Sequence, residues 1–269
     1  MNSFNLGSEE KMGECTLHFK LIHGRISDDI FDKEHVCIVN SNNSIGCKNF
    51  GITRDIVQKY PYADIAGLRF PQPGWGSIAA LEDRSPEGNV YINQPPIYRQ
   101  GSATVATIIT QYGIGACVEE NMYAKEIIER SGDMLYTSRL KCDTLQNRII
   151  YFDKSLFNLS TQLKKPEFDH IKQVIIPAGI GRRGKMDNIW LRRYFPIISS
   201  FAEDIHTAGK LCILLTSDDY LKFTEKRIRK SSFSNSNNLN NIINKLKDLT
   251  IIRDDEINNV QNEKMYVNN

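Results

Sequence analysis

Residues 36–51 read VCIVNSNNSIGCKNFG. The apolar run Val36 to Val39 is short enough for a buried strand, and it stops abruptly at the polar stretch NSNNS. A helix follows, because Ile52, Ile56 and Tyr60 recur at every fourth position and Pro61 stands directly after them as a stop. A strand that passes through a polar, glycine-containing loop into a helix N-terminus offers an anion unpaired backbone amides and the positive end of the macrodipole. The same stretch also reads as an ordinary polar connection. It carries neither the GxxxxGKS/T nor the GxGxxG phosphate fingerprint.

A second junction of the same type lies at 173–184, QVIIPAGIGRRG, where an apolar strand enters a glycine-rich loop and Arg182 and Arg183 stand ready to clamp a diphosphate. Other short β-branched and aromatic runs predict strands at 15–22, 77–81, 89–92, 103–110 and 210–215. Helices are expected over 121–130 and over 187–208, the latter kinked or split at Pro196, while RIIYF at 148–152 reads as one more strand. Strands and helices alternate, which predicts a three-layer α/β/α fold on a mostly parallel mixed sheet. Both loops would then lie at strand carboxyl ends, where open α/β sheets bind ligands. The division expected is one domain over 1–230 and a Ser/Asn-rich tail over 231–269, with a short helix in NIINKLKDL.

Composition narrows the function further. Of 269 residues, 41% are apolar and 25% charged, ordinary globular usage, and no apolar run approaches the roughly 20 residues of a membrane span. The first residues show no basic-then-apolar leader, so a cytosolic or nuclear protein is expected. Cys15, Cys37, Cys47, Cys117, Cys142 and Cys212 form no CxxC pair, and His18, His23, His35, His170 and His206 show no ligand spacing; reduced thiols, no metal and no cofactor are expected. A net charge of +2 is too small to argue for a nucleic-acid partner, none is expected, and any anion site must be local. A monomer is expected.

The motifs resemble those of the macro domain. VNSNNS (39–44) looks like the VNAANS-type signature, and GITRDIVQKYP (51–61) is similar in spacing to the Gly-Ile-Ala, Lys-Phe-Pro pattern of one branch. That branch holds the terminal ADP-ribose protein glutamate hydrolase and the yeast-type ADP-ribose-1''-phosphate phosphatase. TIITQYG (107–113) and VIIPAGIGRRGKMDNIW (174–190) resemble its strand end and second loop, in the same order, across roughly residues 15 to 215. The resemblance implies ADP-ribose or an ADP-ribosylated protein as ligand. Asn40, Asn43, Gly51 and Ile52 would line the distal ribose and first phosphate, Gly181, Arg182, Arg183 and Gly184 would cover the second phosphate, and Thr110 and Gln111 would approach the ribose.

The pattern also departs from the branch. Arg25 follows Gly24 where the family carries an adenine-reading aspartate, leaving Asp28 or Asp29 as substitutes. Gln111 and Lys185 occupy the positions of the hydrolase's lysine and acid, and Thr53 that of another branch's catalytic aspartate. For water activation the nearest candidates are Asp187 and Asn188, which read first as the N-cap of the helix beginning there. Cys47, Trp75 and Tyr112 have lesser claims as nucleophile or stacking surface. Binding without turnover, hydrolysis of an ADP-ribosyl or ADP-ribose-1''-phosphate substrate, and a degenerate interaction module all stand at this point. The tail makes its own forecast: deletion of residues 231–269 should leave the melting temperature nearly unchanged, because a Ser/Asn-rich connection buries little apolar area, and a fall of many degrees in a thermal scan would show that NIINKLKDL packs on the domain.

Overall fold

The computed structural model describes residues 19–23, 29–44, 51–64, 85–113, 115–120, 141–182, 187 and 189–216. Six strands form one sheet: β1 (Phe19–His23), β2 (Val36–Asn43), β3 (Val90–Asn93), β4 (Thr104–Gln111), β5 (Gln173–Pro177) and β6 (Leu211–Thr216). Their spatial order is β1-β6-β5-β2-β4-β3. Every pairing is parallel except that of β3 with β4. Three α-helices are described, α1 (Gly51–Lys59), α2 (Leu145–Leu163) and α3 (Phe195–His206).

The near-continuous apolar strands have the composition that burial on both faces demands. On one face Cys37, Val39, Ala106, Ile108, Val174, Ile176 and Leu214 meet Phe152, Leu156, Leu159, Ile198, Phe201 and Ile205 of α2 and α3. On the other, Val36, Ile38, Val105, Ile175, Ile213 and Leu215 meet Ile56 and Tyr60 of the α1 segment together with Phe31 and Ala63. The three-layer α/β architecture on a mostly parallel mixed sheet is therefore present. The run at 77–81, the helix at 121–130 and the tail lie outside the described residues. No helix among the described residues is long and apolar enough to cross a membrane.

RIIYF is not a strand. Residues 148–152 lie inside α2, whose apolar positions Leu145, Ile149, Phe152, Leu156, Leu159 and Leu163 alternate steps of four and three. A five-residue window rich in isoleucine and aromatics looks like a strand because it is too short to reveal a 3.6-residue period. Thr144 starts the helix properly, its hydroxyl accepting from the Asn147 amide at 3.2 Å. The expected helix over 187–208 is likewise divided, into a π-helical turn at Trp190–Tyr194 and then α3. Pro196 causes no kink inside α3. It sits in the first turn, where its missing N–H would have had no partner.

Phe152 joins the helical layer to the second loop, its ring packed edge-on against Tyr194 at a centroid distance of 5.1 Å. Phe152→Ala should cost about 3–5 kcal/mol, the range for emptying a buried aromatic site. Urea unfolding monitored by circular dichroism would measure it, and Phe152→Leu should recover a large part of the loss.

Candidate functional site

The three neighbouring parallel strands β5, β2 and β4 all present their carboxyl ends at one edge of the sheet. Asn40, Asn42, Asn43 and Ser44 at the end of β2 are all buried. The register slips between Asn42 and Asn43, which pair with Ile109 and Gln111 respectively, and such a bulge re-aims the residues beyond it. Local hydrogen bonds hold the bend: the Asn43 amide donates to Asn42 Oδ1 at 2.8 Å, the Ser44 amide to the Gln111 carbonyl at 2.9 Å, and Ser44 Oγ to the Ser85 carbonyl at 2.6 Å. The Ser41 and Thr110 hydroxyls meet at 2.7 Å.

Asn40 is different. It is 1% exposed, yet neither atom of its amide has a partner. Thr107, its register partner on β4 and so on the same face, also buries an unpartnered hydroxyl. Each such group costs about 1–3 kcal/mol if it stays unmet, so a water or a ligand atom is the natural complement of the pair. Gly51 opens α1 beside this edge, and the first turn of that helix has no acidic residue to occupy its positive end. Ile52 is at the surface, and Thr53 is buried with its hydroxyl donating to the Ser41 carbonyl at 2.9 Å, so it anchors α1 to β2. Asp29 lies by the opposite end of α1, paired with Lys59 at 3.0 Å, which places it apart from the loop edge.

The second loop begins with two left-handed glycines, Gly179 and Gly181, each at φ 76°. Gly181 has no room for a side chain, since a Cβ there would lie 2.7 Å from Tyr194 Cε1. The expectation that Arg182 clamps a diphosphate meets a different arrangement. Its guanidinium is buried, with one terminal nitrogen 2.8 Å from Glu120 and the other 2.7 Å from Asp187. Burial alone would lower the Arg182 pKa, but the hydrogen bonds it donates to Glu120 and Asp187, with the charges of those carboxylates, outweigh it and hold the group above its ordinary value. Its backbone amide is used too, donating to Gly179 at 3.0 Å.

Asp187 divides its oxygens between Arg182 and the Trp190 amide, the latter at 2.9 Å, which is the geometry of a helix cap. Arg183, Gly184, Lys185 and Asn188 lie outside the described residues, as do Asp28, Cys47 and Trp75. Tyr112 is buried in the core at the end of β4 rather than presented as a stacking surface. Buried thiols carry no nucleophile: burial pushes Cys37 up to about 12 and raises Cys117 and Cys212 as well. Among the described residues no group of histidine, cysteine and carboxylate could hold a metal.

Gln111 is held from both sides of its amide, donating to the Gly113 carbonyl at 2.8 Å and accepting from Arg148 at 3.1 Å. Arg148 is the residue that sequence reasoning missed. Its guanidinium also reaches the carbonyls of Gly115 and Ala116 at 2.8 and 3.1 Å and pairs with buried Asp143 at 2.7 Å. Asp143 accepts in turn from the amides of Tyr112 and Gly113 at 3.3 and 2.8 Å. The whole turn after β4 is therefore pinned by one ion pair at the start of α2. Only the α2 periodicity and its Thr144 cap, both hidden by the strand reading, could have pointed there.

No family model and no curated protein matches the chain. Among solved structures it is similar to a macrodomain of Oceanobacillus iheyensis determined with ADPR, at 12% identity and a TM-score of 0.46, covering 79% of this chain and 92% of that one. It is also similar to a macrodomain protein from Streptomyces coelicolor, at 15% identity and a TM-score of 0.42, covering 74% and 98%. An alphavirus protein described as P23pro-zbd is similar at 14% identity and a TM-score of 0.41; there the likeness covers 86% of this chain and 25% of that one.

Arg148→Met should be costly, because it strands the Asp143 carboxylate in the interior; breaking one side of such a pair costs about 3–5 kcal/mol. The check is the urea midpoint of the variant against the unchanged protein. An unaltered midpoint would mean that water already solvates Asp143.

Proposed function

We propose that this chain is a macro domain that binds ADP-ribose, or ADP-ribose carried on a protein, at the carboxyl-terminal edge of its sheet. The observation that carries the reading is the pairing of two loops on neighbouring parallel strands. β2 ends in buried polar residues and α1 opens on an acid-free first turn, while the glycine turn follows β5, the strand paired with β2. Two such loops side by side suit a diphosphate, whose charge is met by backbone amides and the helix end rather than by side-chain cations. The buried polar end of β2, with Asn40 and Asn43, adds hydroxyl-reading groups of the kind a ribose requires.

Binding is favoured over ester hydrolysis. A carboxamide at Gln111 is no nucleophile, since its nitrogen lone pair is delocalised into the carbonyl, and both its ends are already engaged. Asp187 is committed to Arg182 and to the cap of the following turn, which leaves it poorly placed to activate water.

Calorimetric titration with ADP-ribose should give a dissociation constant in the micromolar range, about −8 kcal/mol, with ATP and NAD weaker. Gly51→Glu puts a carboxylate at the end of α1 and should abolish that heat while leaving the melting temperature close to unchanged. Release of label from a glutamate-ADP-ribosylated substrate should stay far below about 1 per second. Phosphate release from ADP-ribose-1''-phosphate, run alongside, distinguishes a phosphatase from a binding module. The absence of any heat with millimolar ADP-ribose would remove the reading.

A further inference from the structure

The connection from β3 to β4 reads QPPIYRQGSA over residues 94–103. Its two large apolar side chains are turned outward, Ile97 at 93% exposure and Tyr98 at 84%. Two adjacent large apolar residues held in water on a short turn are not required by either core cluster. Pro96 has φ −68° and ψ 163°, close to polyproline II, and one 3-10 turn, Ile97–Arg99, follows it directly.

This shape is held from below. The Arg99 amide donates to the Pro96 carbonyl at 2.8 Å and the Ser102 amide to the Arg99 carbonyl at 3.0 Å. The Arg99 guanidinium donates to the Lys59 carbonyl at 2.7 Å, and the Ala103 amide donates to Asp32 at 3.0 Å. Tyr62 hydroxyl also donates to the Ala103 carbonyl. The chain that follows the tip is thus tied to the domain at Arg99 and Ala103, and Asn93 before it is paired with Val105 in the sheet; Ile97 and Tyr98 project, while Pro95 and Pro96 are half-buried.

We propose that Pro95-Pro96-Ile97-Tyr98 is a docking motif for a proline-reading domain of the WW type, whose aromatic-walled groove accepts a polyproline II ligand. Two consecutive proline rings fill the aromatic slot, and a tyrosine two positions later supplies a rigid second anchor with a polar tip. Because the two prolines and the pinned segment 99–103 already restrict the backbone, less ordering entropy opposes docking. The other common proline spacing, PxxP, is absent here, since Tyr98 and Arg99 stand where its second proline would fall. Asn93 pairs with Val105 near the start of β4, so the motif lies at the amino-terminal edge of the sheet, opposite the loop edge. The inference is therefore independent of the ADP-ribose reading.

The test is a titration of a recombinant WW domain that reads Pro-Pro-x-Tyr peptides, followed by the fluorescence of its groove tryptophan. The titrants are the full chain and a synthetic peptide of residues 92–101. The full chain should bind in the tens of micromolar, at least as tightly as the peptide. Tyr98→Ala and Pro96→Ala in the full chain should each weaken binding tenfold or more, and a thermal scan should show the Tyr98 variant as stable as the parent. Three results would each overturn the proposal: no response to the full chain at hundreds of micromolar, binding by the peptide alone, or unchanged affinity of the Tyr98→Ala chain.

Discussion

Parallel pairing of β5, β2 and β4 is the constraint on which the rest depends. Each parallel connection must carry the chain back across the sheet, so the carboxyl ends of these strands gather at one edge. Strand amides and carbonyls run out of partners there, and the chain answers with polar side chains: Ser41 with Thr110, Asn42 with the Asn43 amide, Ser44 with Ser85. Among the described residues of this edge, the Asn40 amide, the Thr107 hydroxyl and Arg182 Nε are left without a partner. An edge that buries polar groups without partners is suited to a polar ligand.

Charge is used at that edge mainly to hold loops, not to attract anions. Arg148 spends its guanidinium on Asp143, Gln111 and two carbonyls, and Arg182 spends its own on Glu120 and Asp187. Glu120 belongs to the turn after β4 and Arg182 to the turn after β5, so their contact ties two strand ends that are not neighbours in the sheet. Removing such groups from water is expensive, and it is repaid here by multiple hydrogen bonds with good geometry. Among the described residues, the outcome is a frame in which these two guanidinium groups are committed to other protein groups.

The two ends of the sheet have opposite characters. At the carboxyl edge polar groups are buried and networked. At the amino edge apolar groups are displayed, with Ile97 and Tyr98 held out on a turn whose base is fastened to Asp32 and Lys59. A ligand at one edge and a partner at the other would not compete for surface, since the full length of β4 lies between them.

The residues alone determined the alternation of strands and helices, the two loop positions and the Pro61 stop, because apolar runs, glycines and prolines act locally on the backbone. They also determined that Gln111 lacks the chemistry of an amine. Tertiary structure decided what spacing cannot express. Residues 148–152 look like a strand by themselves, and only packing against Val39, Ile108 and Tyr194 makes them the first turns of a buried helix face. Arg182 looks like a free cation in AGIGRRG, and only the approach of Glu120, 62 positions away, removes its charge from the loop. Asp187 looks like an acid that could serve chemistry, and the fold makes it a cap. In each case the partner is distant in sequence, so the residue's role exists only once the chain has folded.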